Sequence, residues 1–188
     1  MMRLEALTAV SPVDGRYRAT AEALAPYFSE FALMKMRVTV ECEYLTALSE
    51  TKGVGIRPLT AGEKAKLRAL PHISIEDAQI IKKFEHEGYG GIPATNHDVK
   101  AVEYFIKLKL KDSTLADVLE WVHFALTSED VNSTAHALAL RGALEEVMLR
   151  HSRRCRTRSL ALRGGMPILP CSRAPMARAR HRRPSARR

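Results

Sequence analysis

The chain has 188 residues, room for one domain or one domain with a tail, and 46% of them are hydrophobic against 6% aromatic. That is apolar material enough for a core, and the abundance of Ala and Leu over aromatics argues for helices and against a sandwich or barrel. The formal charge of +9 hides a split: positions 1–149 carry 17 basic and 21 acidic side chains, whereas positions 150–188 carry 13 arginines and no acid, so an overall basic balance says nothing about the body's partners.

The cysteines, Cys42, Cys155 and Cys171, are odd in number and show no metal-ligand spacing, which points to reduced thiols and an intracellular, cytoplasmic chain. The first residues contain no continuous apolar stretch of the secretory kind. No apolar run approaches the roughly 20 residues that cross a bilayer.

In chain order, residues 1–20 read as an irregular lead-in, with turn chemistry at Ser11-Pro12 and Asp14-Gly15. A long helix is expected after Pro26, because Phe31, Met34, Val38, Cys42 and Leu45 recur at steps of three and four. Residues 51–58 break it. A shorter helix over 60–70 opens on Thr60 and Glu63, which stand at capping-box spacing. Ser74 and Asp77 open the next in the same way, with Ala78, Ile81 and Phe84 on one face. The glycine-rich stretch from Glu87 to Pro93 is a loop. Helical periodicity resumes at Thr95, where Thr95 and Asp98 resemble another capping box and Val99, Val102, Ile106 and Leu110 line one face. A helix around Leu115–Leu126 and a last one from about Thr127 to Leu149 complete the body. No segment has strand periodicity, so positions 1–149 read as an all-α domain, with 150–188 as a separate arginine-rich tail.

Three polar clusters fall at turns or helix starts. In Ser11-Pro12-Val13-Asp14-Gly15-Arg16-Tyr17, the planar fork of Arg16 suits a phosphate or carboxylate. In Thr95-Asn96-His97-Asp98-Val99-Lys100, free N–H groups at a helix start favour an anion, and His97 can donate to a substrate oxygen or relay a proton. In Thr127-Ser128-Glu129-Asp130-Val131-Asn132, two hydroxyls can hold a carboxylate. Taken singly, a solvated turn and ordinary helix capping account for each cluster at least as well.

Together, in this order and spacing, SPVDGRY, TNHDVKAVEYF and HFALTSEDVNSTAHAL resemble the adenylosuccinate lyase family of the fumarase/aspartase superfamily, in its bacterial type, over about Leu7 to Leu149. The resemblance implies that superfamily's N-terminal helical domain and a homotetramer whose sites draw on three subunits. It implies β-elimination of fumarate from adenylosuccinate and from the succinylocarboxamide intermediate of purine synthesis, with no metal or organic cofactor. Carried over by motif, Arg16 and Tyr17 contact substrate and Asn96, His97 and Asp98 lie along it. His97 assists catalysis, and Thr127 and Ser128 hold the substrate's anionic groups.

Beyond Leu149 the resemblance stops, and the family's expected acid (a His in a Ser-Arg-Thr-His-Gly string) and base (a Ser in a later loop) are not found. Read one base out of register, the codons of Pro170 to Ala177 permit Met-Leu-Ser-Arg-Thr-His-Gly. Residues 150–188 are therefore expected to be out-of-frame translation with no regular structure, and the chain a truncated lyase, inactive alone. Two other readings are an arginine-rich nucleic-acid arm, which such a tail would make through phosphate contacts but which lacks aromatics for base stacking, and a non-catalytic partner of a full-length lyase.

Overall fold

The computed structural model describes residues 5–153 and 155–157. The chain divides into two units, positions 1–150 and 151–188. The tail expected to be irregular from position 150 is instead helical at residues 150–153 and 155–157, and the rest of it, from position 158, lies outside the described residues.

The first unit is all-α. Its main helices are α1 (Glu30–Glu50), α2 (Ala61–Ala69), α3 (Ile75–His86), α4 (Asp98–Leu110) and α5 (Ser128–Gly142), after short helical turns at Arg18–Ala21, Glu22–Leu24 and Ala25–Phe28. Among the described residues there is no strand. The loop after α3 makes one isolated bridge, in which Tyr89 and Ile92 exchange N–H···O bonds of 2.9 and 3.1 Å around Gly90 (φ 60°) and Gly91 (φ 86°). Two consecutive left-handed positions make a tight hairpin turn that glycine adopts without strain.

Side chains close the helix starts where sequence spacing places them. Ser29 Oγ accepts the Ala32 N–H and opens α1. Reciprocal capping boxes form at Thr60 and Glu63 for α2 and at Ser74 and Asp77 for α3, each cap stabilising by about 1 kcal/mol. The lead-in is tighter than its composition suggests. Asp14 and Gly15 both donate to the Ser11 carbonyl, and Gly15 is buried where a Cβ would stand 2.8 Å from the Ala6 carbonyl oxygen.

The long α1 packs against α4 and α5, and α3 pairs with α4. Val38, Cys42 and Leu45 from α1, Ile81 and Phe84 from α3, and Val102, Phe105, Ile106 and Leu110 from α4 make one core with Leu67 and Leu115. Phe84 and Phe105 are fully buried, contributing about 1.5–3 kcal/mol each.

Two expectations are corrected. The helix expected around Leu115–Leu126 is a 3₁₀ turn over Ala116–Trp121, followed by extended Val122 and left-handed His123 (φ 63°) and Ala125 (φ 57°), which no helix accommodates. The helix expected to resume at Thr95 begins at Asp98, with His97 as its N-cap. Asn96 stands at φ 49° and turns the chain. Thr95 Oγ1 accepts the His97 N–H and donates to the His97 carbonyl, closing a local turn instead of a capping box.

No helix among the described residues is long and apolar enough to cross a membrane. Among those residues no group of three or more His, Cys, Asp or Glu side chains is arranged to hold a metal ion.

Candidate functional site

Residues from two of the three clusters meet at the starts of α4 and α5. At α4, the His97 ring replaces the usual small polar cap: its Nδ1 accepts the Lys100 N–H at 3.2 Å. A neutral His97 accepting at Nδ1 carries its proton on Nε2. That Nε2 lies 3.1 Å from Ser128 Oγ, the first residue of α5. The ring therefore donates to the serine oxygen, which leaves the serine hydroxyl free to donate onward. The two residues are 31 positions apart in sequence.

Thr127 closes the start of α5 by a capping box. Its N–H and hydroxyl both donate to Asp130 Oδ2, at 2.8 and 2.7 Å, and its oxygen accepts the Asp130 N–H. These bonds, the hydroxyl's foremost, hold the Asp130 carboxyl below its usual range. Thr127 is thus occupied by its own helix, whereas the Ser128 and Glu129 N–H groups have no acceptor among the described residues.

A buried arginine ties the two helix starts together. Arg37, in the middle of α1 and 6% exposed, donates from Nη2 to Asp98 Oδ2 at 2.6 Å and from Nε to Asn132 Oδ1 at 2.9 Å. Asp98 also accepts the Val99 N–H. Partial burial pushes the Asp98 carboxyl up, and the Arg37 charge and hydrogen bond outweigh that, leaving it lowered. Arg37, Asn96, His97 and Asp98 line a cleft of about 310 Å³, with Met34 and Ile81 as its floor and Glu30 and Glu85 at its edge. Lys82 bridges those two glutamates at 2.8 Å each, so one of their two charges is answered.

A second pair built on a buried charge sits one turn further along α1. Glu41 is fully buried, and its Oε1 lies 2.6 Å from His123 Nδ1, while Oε2 has no partner. Burial pushes the Glu41 carboxyl up, against the opposing hydrogen bond from His123. The contact pins the left-handed stretch that leads into Thr127 and Ser128. Arg37 and Glu41 stand outside every polar cluster of the sequence, and Asn132 and His123, though they lie in its third cluster and third string, carry no role there.

The first cluster stays apart. The Arg16 guanidinium stacks on the Tyr17 ring at 4.8 Å, and both side chains are exposed. Among the described residues neither makes a hydrogen bond or ion pair with His97, Asp98, Thr127 or Ser128. Asn96, at its left-handed position, is exposed at the cleft mouth with its side chain uncommitted.

A family model described as Lyase matches residues 15–157. The chain is 44% identical over 151 residues to the adenylosuccinate lyase of Haemophilus influenzae, covering 79% of this chain and 32% of that protein. It is 46% identical over 151 residues to the Escherichia coli enzyme of that name, with the same coverage. To that of Dictyostelium discoideum it is 43% identical over 155 residues, covering 79% of this chain and 31% of the relative. The chain spans about a third of the length of the curated relatives it matches.

Proposed function

Since this chain belongs to the lyase family, we propose that it supplies the substrate-holding corner of an adenylosuccinate lyase site, in the service of purine nucleotide synthesis. The observation that carries this reading is the 3.1 Å contact between His97 Nε2 and Ser128 Oγ, which joins two separate motifs at two helix starts. The substrate named by the relatives bears a phosphate and carboxylates. Helix N-termini, a hydroxyl and an imidazole N–H are donors suited to such oxygens.

In this reading His97 donates through Nε2 to Ser128, and the Ser128 hydroxyl and the free N–H groups of Ser128 and Glu129 take a substrate carboxylate or phosphate oxygen. Thr127 holds Ser128 in place through its cap. Asn96 and Asp98 flank the ligand, Asp98 under the control of Arg37. Arg16 and Tyr17 take a further anionic group of the same or a neighbouring ligand. His97 assists proton transfer. The cleft on the α4 side of the corner, lined by His97, Asn96 and Asp98 but not by Ser128, has about 310 Å³, at the small end for a ligand site, which fits a corner that holds part of a ligand. No cofactor enters the reading.

Elimination also needs a base for the carbon-bound proton and an acid for the leaving nitrogen, each worth roughly 10²–10⁴-fold. The corner offers one imidazole, already bonded to a serine and an amide. Binding without appreciable turnover is therefore the expected behaviour of this chain alone. Assembly with further copies or with other chains is the expected route to a full site. The exposed stripe of Leu140, Leu144 and Met148, spaced i, i+4, i+8, supports that, since apolar stripes in water favour association.

The test is to measure adenylosuccinate binding and fumarate release on one preparation made in a host lacking its own lyase. Saturable binding with fumarate release below a tenth of an intact relative's is expected. Absence of binding would sink the proposed site, and release close to the relative's would sink the claim that the chemistry needs more groups.

A further inference from the structure

The contact between His97 and Ser128 joins two helices that meet at their starts, and something must set the distance between them. Capping cannot: each cap is satisfied within its own helix. The core lies below the corner, where His97 is exposed and Ser128 half-buried. The group that reaches both helices is Arg37. Its fork spans Asp98, the residue after His97, and Asn132, four residues after Ser128. A guanidinium is planar and rigid, so two bonds from Nη2 and Nε fix the separation of their acceptors in a way that a single-point ammonium cannot. Arg37 is itself held by burial, with 8% of its side chain exposed.

We infer that Arg37 is a positioning residue, whose guanidinium sets the His97–Ser128 distance by bridging Asp98 on α4 and Asn132 on α5. It acts through those two residues, which take both of its hydrogen bonds although its side chain also lines the cleft. Asn132, which does not line the cleft, separates the two roles. The inference rests on the reading of His97 and Ser128 as ligand-holding groups, and gives the site a part that sequence spacing does not reveal. A lysine at position 37 keeps the charge beside Asp98 and loses the second arm. Asn132→Ala keeps the ion pair and loses only the tie to α5. Both variants release one helix start from the other.

The experiment uses the full chain and the nuclear Overhauser effect between the His97 ring protons and the Ser128 β-protons, with Arg57→Lys as control. Arg57 bridges Glu63 and Asp117 away from the corner, so its replacement lowers stability without touching the corner. The wild type and the control are expected to show the effect, and Arg37→Lys to lose most of it while its helical circular dichroism is kept. Adenylosuccinate should then bind roughly tenfold more weakly, the consequence of about 1.4 kcal/mol. If Arg37→Lys does not fold, Asn132→Ala provides the same comparison. An undiminished effect in whichever variant folds, or an equal loss in the Arg57→Lys control, overturns the inference. A wild type that shows the contact and the expected loss in the variants, yet binds no adenylosuccinate, leaves the positioning role standing and removes the functional reading.

Discussion

Thr127 and Ser128 are adjacent hydroxyls with different tasks. Thr127 spends both its N–H and its hydroxyl on Asp130, whereas Ser128 faces the His97 ring. Replacing each by alanine should separate the tasks. Thr127→Ala is expected to cost about 0.5–2 kcal/mol of stability, the usual penalty for a lost N-cap. Ser128→Ala should leave the melting temperature nearly unchanged and weaken adenylosuccinate binding. Thermal melts and binding isotherms on the two variants decide it, and equal binding by wild type and Ser128→Ala would remove the hydroxyl from the site. At this scale the sequence makes the corner's exposed residues legible, because they stand in compact polar strings at helix starts. It leaves out Arg37 and Glu41 altogether and gives no role to Asn132 and His123, because the partnerships among these residues and Asp98 span 61, 95 and 82 positions. A charged residue in the middle of an amphipathic helix ordinarily reads as a solvated one. Arg37 and Glu41, one turn apart and both buried, carry no local mark of their burial.

Helices α1 to α5 follow from periodicity and capping, and the places where periodicity misleads have a common cause. Around Leu115–Leu126 the apolar residues recur at helical spacing, yet tertiary pairing takes the backbone elsewhere. His123 turns left-handed to meet Glu41, and the Tyr44 hydroxyl donates to the Phe124 carbonyl. At Thr95 the spacing to Asp98 suggests a capping box, but Arg37 claims the Asp98 carboxylate and an imidazole takes over the cap. The joint between α2 and the 3₁₀ turn is held differently, by Arg57 bonded at once to Glu63, Asp117 and the Thr114 carbonyl. The Arg57 hydrogen bonds, foremost among the causes, hold the Glu63 and Asp117 carboxyls below their usual 4.5 and 3.8. A carboxyl lowered by folding contributes stability that is complete above its unfolded value and is lost as pH falls through its folded value. Urea midpoints between pH 7 and pH 3 should therefore fall with acid, and Arg57→Gln should start lower at pH 7 and fall less. Parallel curves for the two proteins would show that the cluster contributes nothing to acid sensitivity.

Across the whole molecule, the helical body, its acidic balance and its family are all present in the sequence, and the matched region from 15 to 157 includes every residue of the corner. The chain spans about a third of its relatives' length, and the site it offers is a corner of matching modesty: a small cleft, one imidazole, one free hydroxyl and unspent helix N–H groups. Arg16 and Tyr17 stand outside that corner within this single chain. The apolar stripe Leu140, Leu144 and Met148 supplies a physical reason for association with further protein. The central claim, that His97 and Ser128 hold the anionic part of adenylosuccinate, is tested most directly by titrating that ligand into the full chain while following the His97 ring and Ser128 resonances. Shifts that saturate at these two residues, and are absent in His97→Gln, are the predicted result. No shift at either residue at saturating ligand, or the same binding curve in His97→Gln, would contradict it.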